Sequence, residues 1–169
     1  MNNILTKLGK IKALFFDVDG VLTDGSVTVF NDGSQIRKFN IKDGWAVNRC
    51  VKMGFKVIVI SAGRDESVIK RLEYLGVEEI NIGVRDKEKM FDDYLQKSDF
   101  SLDECLYMGD DMADYKVMKK PEVLSICPSD AADDILAVSD YVTNKAGGKG
   151  AVREVLEKML KIQGKWPEL

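Results

Sequence analysis

Six short apolar runs, near residues 12 to 17, 56 to 60, 79 to 82, 105 to 108, 123 to 126 and 140 to 143, alternate with stretches whose apolar residues recur at helical spacing. Runs of this length fit strands buried on both faces, and the intervening helices supply the crossovers that parallel strands require. The pattern predicts an α/β fold: a doubly wound parallel sheet, Rossmann-like, with right-handed crossovers. The 169 residues, 45% of them hydrophobic, suffice for one core. No linker, repeat or low-complexity run divides the chain, so residues 1–169 are expected to form a single domain. One segment breaks the alternation: Val27-Thr28-Val29-Phe30 and Gln35-Ile36-Arg37-Lys38-Phe39 flank Asn31-Asp32-Gly33-Ser34 and read as a projecting β-hairpin.

The ends of these strands concentrate residues able to do chemistry. The first run stops abruptly at Asp17-Val18-Asp19-Gly20. Two carboxylates spaced by two residues leave an extended backbone on the same side, at the carboxyl end of a strand where open α/β sheets hold ligands. A second acidic edge follows Cys105-Leu106-Tyr107-Met108, as Gly109-Asp110-Asp111-Met112-Ala113-Asp114. Either cluster alone also suits a solvated turn or a helix cap. If the two strands are neighbours, Asp17, Asp19 and Asp110 converge, and like charges that close require protonation or a cation. Oxygen-only ligands suit Mg²⁺. The chain has no histidine. That removes the usual general base and zinc ligand, excludes a Ser-His-Asp hydrolase, and leaves acid-base work to carboxylates.

Two further strand ends fit phosphate binding. The run 57 to 60 ends in Ser61-Ala62-Gly63-Arg64, where the Ser61 hydroxyl and the N–H groups of Ala62 and Gly63 offer donors to phosphate oxygens. A helix cap is the alternative reading for Ser61, a role that Asp65 would also fill. Lys87 opens a helix with apolar residues Met90, Phe91, Tyr94 and Leu95, although the first turn of a helix favours anions. On these grounds alone it is either a solvated surface lysine or a partner for an acidic cluster and a bound phosphate.

In order and spacing, Asp17-Val18-Asp19-Gly20, Ser61, Lys87 and Gly109-Asp110-Asp111 resemble the four signature motifs of the haloacid dehalogenase superfamily of phosphohydrolases. More narrowly, residues 17 to 25, 39 to 44 and 147 to 154 resemble its small capless branch, which includes the 3-deoxy-D-manno-octulosonate 8-phosphate phosphatases of lipopolysaccharide sugar biosynthesis. The resemblance implies Asp17 as nucleophile and Asp19 as acid and then base. It implies Mg²⁺ held by the carboxylates of Asp17 and Asp110 and the backbone carbonyl of Asp19, with Asp111 and Asp114 orienting that shell. Ser61 and Lys87 would hold the transferring phosphoryl group. Many branch members read Thr-Gly-Arg where this chain reads Ser61-Ala62-Gly63-Arg64, so the arginine stands one position later. Arg64 remains the candidate for a substrate carboxylate, with Lys42 as a further contact.

The resemblance also implies a homotetramer in which a neighbouring subunit completes each site, because no segment is long enough to form a cap. Competing readings are a phosphatase of nine-carbon sugar-acid 9-phosphates, a receiver-like signalling domain, and a silent tetramerisation module. Asp19 separates the first two classes, since turnover needs an acid-base residue that a receiver lacks. An odd number of cysteines, Cys50, Cys105 and Cys127, in apolar surroundings favours reduced thiols. With no signal peptide and no membrane-length apolar run, a cytoplasmic protein is expected, and a net charge of −3 argues against nucleic acid. Gly147-Gly148-Lys149-Gly150 lacks the spacing of a nucleotide triphosphate loop.

Overall fold

The structure, a computed structural model, describes residues 4–167. From α1 (Ile4–Lys10) the chain enters β1 (Ala13–Phe16), then a hairpin of β2 (Thr28–Val29) and β3 (Gln35–Ile36). It continues through α2 (Ile41–Lys52), β4 (Lys56–Ile60), α3 (Glu66–Tyr74), β5 (Glu79–Asn81), α4 (Lys87–Gln96) and β6 (Cys105–Met108). The last elements are α5 (Tyr115–Met118), β7 (Leu124–Cys127), α6 (Asp133–Val138), β8 (Tyr141–Val142) and α7 (Ala151–Ile162). The main sheet has the order β5-β4-β1-β6-β7-β8, with all neighbours parallel. This is the doubly wound sheet that the alternation predicts, with no cap domain.

Strand alternation sorts the core into two layers. Leu14, Phe16, Val57, Val59, Leu106 and Met108 face one way and pack with Ala46 and Val47 of α2 and Val155, Leu156 and Met159 of α7. Ala13, Phe15, Ile58, Ile60, Cys105 and Tyr107 face the other and pack with Phe91, Val117 and Ile135 of α4, α5 and α6. Both faces of the central strands are thus covered, which is why they read as unbroken apolar runs. Each large side chain so buried contributes about 1.5–3 kcal/mol.

Register positions the functional edge. Phe16 lies opposite Val59 in β4 and Met108 in β6, so these three strands finish level. Chain order reverses direction across β1, and that reversal opens the crevice in which such sheets hold ligands. Several boundaries differ from the sequence expectation. β1 ends at Phe16, although the N–H of Asp17 still donates to the Met108 carbonyl at 3.0 Å. The hairpin strands have only two residues each because their side chains are exposed and no core holds them.

Candidate active site

Beyond β1 the backbone stays extended at Asp17 (φ −75°, ψ 168°) and Asp19 (φ −73°, ψ 120°), then reverses at Gly20 (φ 87°). Thr23 N–H closes this wide turn on the Val18 carbonyl at 3.0 Å. A Cβ on Gly20 would lie 1.9 Å from Asp110 Oδ2, so glycine is what lets the two acidic edges meet.

Their meeting places a buried ion cluster at the sheet edge. Lys87 opens α4 behind the cap Asp86 and is 2% exposed. Its Nζ lies 2.7 Å from Asp17 Oδ2 and 2.8 Å from Asp114 Oδ1. Tyr107 donates its hydroxyl to the same Asp114 Oδ1 at 2.7 Å, and the Asp110 N–H donates to Asp114 Oδ2 at 3.3 Å. Val18 N–H donates to Asp17 Oδ1 at 2.6 Å.

One carboxylate oxygen from each of Asp17, Asp110 and Asp114 lies within 4.8 Å of the other two, and Lys87 is the cation that Asp17 and Asp114 share. Burial, reinforced by the charge of Asp114 and opposed by Lys87, pushes Asp17 up to about 7. Burial and the charges of Asp17 and Asp114 push Asp110 up to about 8. Asp110 Oδ1 is buried with no hydrogen-bond partner among the described residues. A second cation of oxygen-seeking character fits this group. Both oxygens of Asp114 and both of Asp17 already have a donor, which leaves Asp110 Oδ1 as the open oxygen; Asp17 is 8% exposed and Asp114 fully buried, so Asp17 is the one of the two that a ligand can reach.

The other expected residues divide. Ser61 is 3% exposed; its N–H donates to the Asn81 carbonyl at 2.8 Å, and its hydroxyl accepts from Gly63 N–H at 3.1 Å. It is not a helix cap, since Asp65 caps α3 through Ser67 N–H at 2.9 Å. Ala62 and Arg64 are exposed at this loop. Arg64 runs over the turn at Gly83, where a Cβ would stand 3.5 Å from its Cγ. Asp111 is exposed and accepts from Met112 N–H at 2.7 Å. Lys42 makes no ion pair with Asp17, Asp19 or Asp110 among the described residues. It lines a basic groove of about 460 Å³ with Lys145, Lys149, Arg153, Lys158 and Lys161.

Two residues that the sequence did not single out touch carboxylates of the site, one beside the ion cluster and one within it. Arg37, from the hairpin, bonds Asp19, and Tyr107 bonds Asp114. A basic residue in a strand-like pattern and a tyrosine in an apolar run each carry an ordinary explanation, so neither stood out.

No family model matches the sequence. The 3-deoxy-D-manno-octulosonate 8-phosphate phosphatase KdsC of Escherichia coli (strain K12) is 36% identical over 166 residues, covering 98% of this chain and 88% of that protein. This chain belongs to the KdsC family. A KdsC-family crystal structure from Moraxella catarrhalis, in complex with magnesium ion, phosphate ion and KDO, matches with a TM-score of 0.92 at 34% identity. That match covers 97% of this chain and 94% of the other. A structure from Legionella pneumophila, described as a HAD superfamily (subfamily III A) hydrolase, matches with a TM-score of 0.93 at 33% identity. It covers 98% of this chain and 90% of that one. The KdsC fold, a capless parallel sheet, is therefore the fold of this chain.

Proposed function

We propose that the protein is a Mg²⁺-dependent phosphatase that hydrolyses 3-deoxy-D-manno-octulosonate 8-phosphate to the free sugar acid and inorganic phosphate. The observation that carries this reading is the buried Asp17–Lys87–Asp114 cluster beside the unpartnered Asp110 Oδ1, in a chain 36% identical to KdsC phosphatases.

Asp17 attacks the phosphorus in line, forming an aspartyl phosphate as the bond to the sugar oxygen breaks. Asp19 protonates the departing alkoxide and then takes a proton from the water that cleaves the intermediate. Lys87 and Ser61 hold the phosphoryl oxygens, while Asp114, itself held by the Tyr107 hydroxyl, fixes the ammonium of Lys87. The carboxylates of Asp17 and Asp110 and the main-chain carbonyl of Asp19 would hold Mg²⁺, with Asp111 outside them. When bound, the ion offsets negative charge on nucleophile and phosphate and keeps both carboxylates ionised. Arg64, exposed with no ion pair among the described residues, would receive the substrate carboxylate. Lys42, in its separate groove, would reach a substrate only in an assembled oligomer.

A homotetramer supplies what a missing cap does not: a wall over the site. The exposed apolar hairpin residues Val29, Phe30 and Ile36 support an interface there. No helix among the described residues is long and apolar enough to cross a membrane. Burial pushes the thiols of Cys50 and Cys105 up to about 12, which suits reduced, unreactive cysteines in a cytoplasmic enzyme.

A phosphate-release screen with Mg²⁺ across eight- and nine-carbon sugar-acid phosphates, hexose phosphates and nucleotides tests the reading. The octulosonate ester is expected to turn over best, and Asp17→Asn protein is expected to release none. Preferred turnover of hexose phosphates or nucleotides would overturn the substrate, and an active Asp17→Asn variant would overturn the covalent route.

A further inference from the structure

Arg37 leaves the hairpin one residue after β3 and turns back onto the catalytic edge, where its side chain is only 8% exposed. Its Nε donates to Asp19 Oδ1 at 2.7 Å and its Nη2 reaches Asp19 Oδ2 at 3.4 Å. On the other side, Nη1 donates to Asp65 Oδ2 at 2.8 Å. Asp65 is itself immobilised, because its Oδ1 caps α3 at Ser67 N–H. A chain of fixed contacts thus runs from a helix terminus, through a guanidinium, to the second carboxylate of the active-site turn.

We propose that Arg37 is a positioning residue for proton transfer by Asp19, a role that rests on Asp19 being the acid and base of the phosphatase. Asp19 lies on a turn with one-third of its side chain exposed, and neither of its oxygens has another hydrogen-bond partner among the described residues. The short bond pins Oδ1. The loosely held Oδ2 faces Gly63, where a Cβ would stand 3.4 Å away, and it is the oxygen left to carry the proton. In the first step that proton passes to the leaving oxygen as its bond to phosphorus breaks and the Asp17–phosphorus bond forms. In the second, water bonds to phosphorus, the Asp17–phosphorus bond breaks, and a proton from the water returns to Asp19. Throughout both steps Arg37 keeps the carboxylate in reach, and displacement by about 1 Å costs on the order of 100-fold.

Two esters without a carboxylate separate this role from substrate binding. Benzyl phosphate releases an alkoxide that must be protonated, whereas p-nitrophenyl phosphate releases a stable phenolate that need not be. With Mg²⁺ present, Arg37→Met is expected to lower kcat/KM for benzyl phosphate by about 10-fold or more beyond its effect on p-nitrophenyl phosphate. Arg37→Lys, which keeps the charge and loses the fork, should fall between. Asp65→Asn keeps a capping oxygen for α3 and should show the same selectivity, more weakly. Equal losses on both esters, or none, would overturn the positioning role; so would a loss seen only as a raised KM for sugar-acid phosphates, which would make Arg37 a substrate ligand. If the unaltered protein turned over neither ester nor any sugar-acid phosphate, the phosphatase reading would fall first and this inference with it.

Discussion

Lys87 is the residue on which the charge balance of the site depends. Its ammonium separates Asp17 from Asp114, and both contacts are almost fully shielded from water. Removing it leaves two buried carboxylates without their counter-charge, so Lys87→Met is expected to cost about 3–5 kcal/mol of stability as well as activity. Tyr107→Phe deletes one donor to Asp114 and keeps the ring packed between Phe15 and Phe91, so it should cost only about 1–3 kcal/mol. Urea midpoints at unchanged slope in Mg²⁺-free buffer measure both, and a Tyr107→Phe loss as large as that of Lys87→Met would contradict the assigned order. What the chain revealed at this scale follows from geometry. Asp17 and Asp110 sit where a strand stops, and such positions can be read from apolar runs; Lys87 is singled out only by the family resemblance, because a lysine at the start of a helix is equally well explained as a solvated surface charge. Arg37 and Tyr107 owe their roles to partners 18 and 7 positions away, brought near by the turn of a hairpin and of a loop.

At the scale of elements, the glycine-rich segment before α7 is a structural joint. Gly150 caps α7 without a side chain, and Asp43 of α2 does the work instead, accepting from Gly150 N–H at 3.2 Å and Arg153 N–H at 2.7 Å. Asn40 adds a bond from its side-chain amide to the Gly148 carbonyl at 3.2 Å. Asp43→Ala is therefore expected to destabilise the fold by about 1–2 kcal/mol, visible as a lower urea midpoint. A Cβ on Gly147 would fall 1.8 Å from the Gly20 carbonyl oxygen, which is backbone and cannot rotate aside. Gly147→Ala should thus displace the turn that carries Asp19 and lower kcat in a phosphate-release assay, although Gly147 lies outside the ion cluster; unchanged kcat would show that the turn absorbs the push. The four central strands, β4, β1, β6 and β7, were legible because both of their faces are covered, whereas the half-exposed edge strands β5 and β8 were legible from their place in the alternation. The joint was legible only as a motif, since its partner Asp43 lies more than a hundred residues earlier and its role depends on α2 packing against α7.

For the whole molecule, a crowded acidic edge makes stability a function of both pH and metal. Folding raises Asp17 and Asp110 from an ordinary value of 3.8 to about 7 and about 8. Over that window the unfolded chain has released protons that the folded, metal-free chain still holds, so the folded state loses stability as pH rises and levels off above the higher value. These two groups therefore act in the opposite direction to salt-bridged carboxylates whose values are lowered. Mg²⁺ competes with those protons for the same oxygens, so its stabilising effect must grow as the protons leave. The increase in melting temperature on adding Mg²⁺ is accordingly expected to be small near about pH 5 and large near about pH 8, with EDTA reversing it. Asp110→Asn should lose most of the increment and, without metal, should melt no lower than the unaltered protein near about pH 8, because it no longer confines that charge. An equal increment at both pH values would mean that the ion binds away from Asp17 and Asp110. The convergence of strand ends would then be a feature of folding alone, with no part in holding a metal.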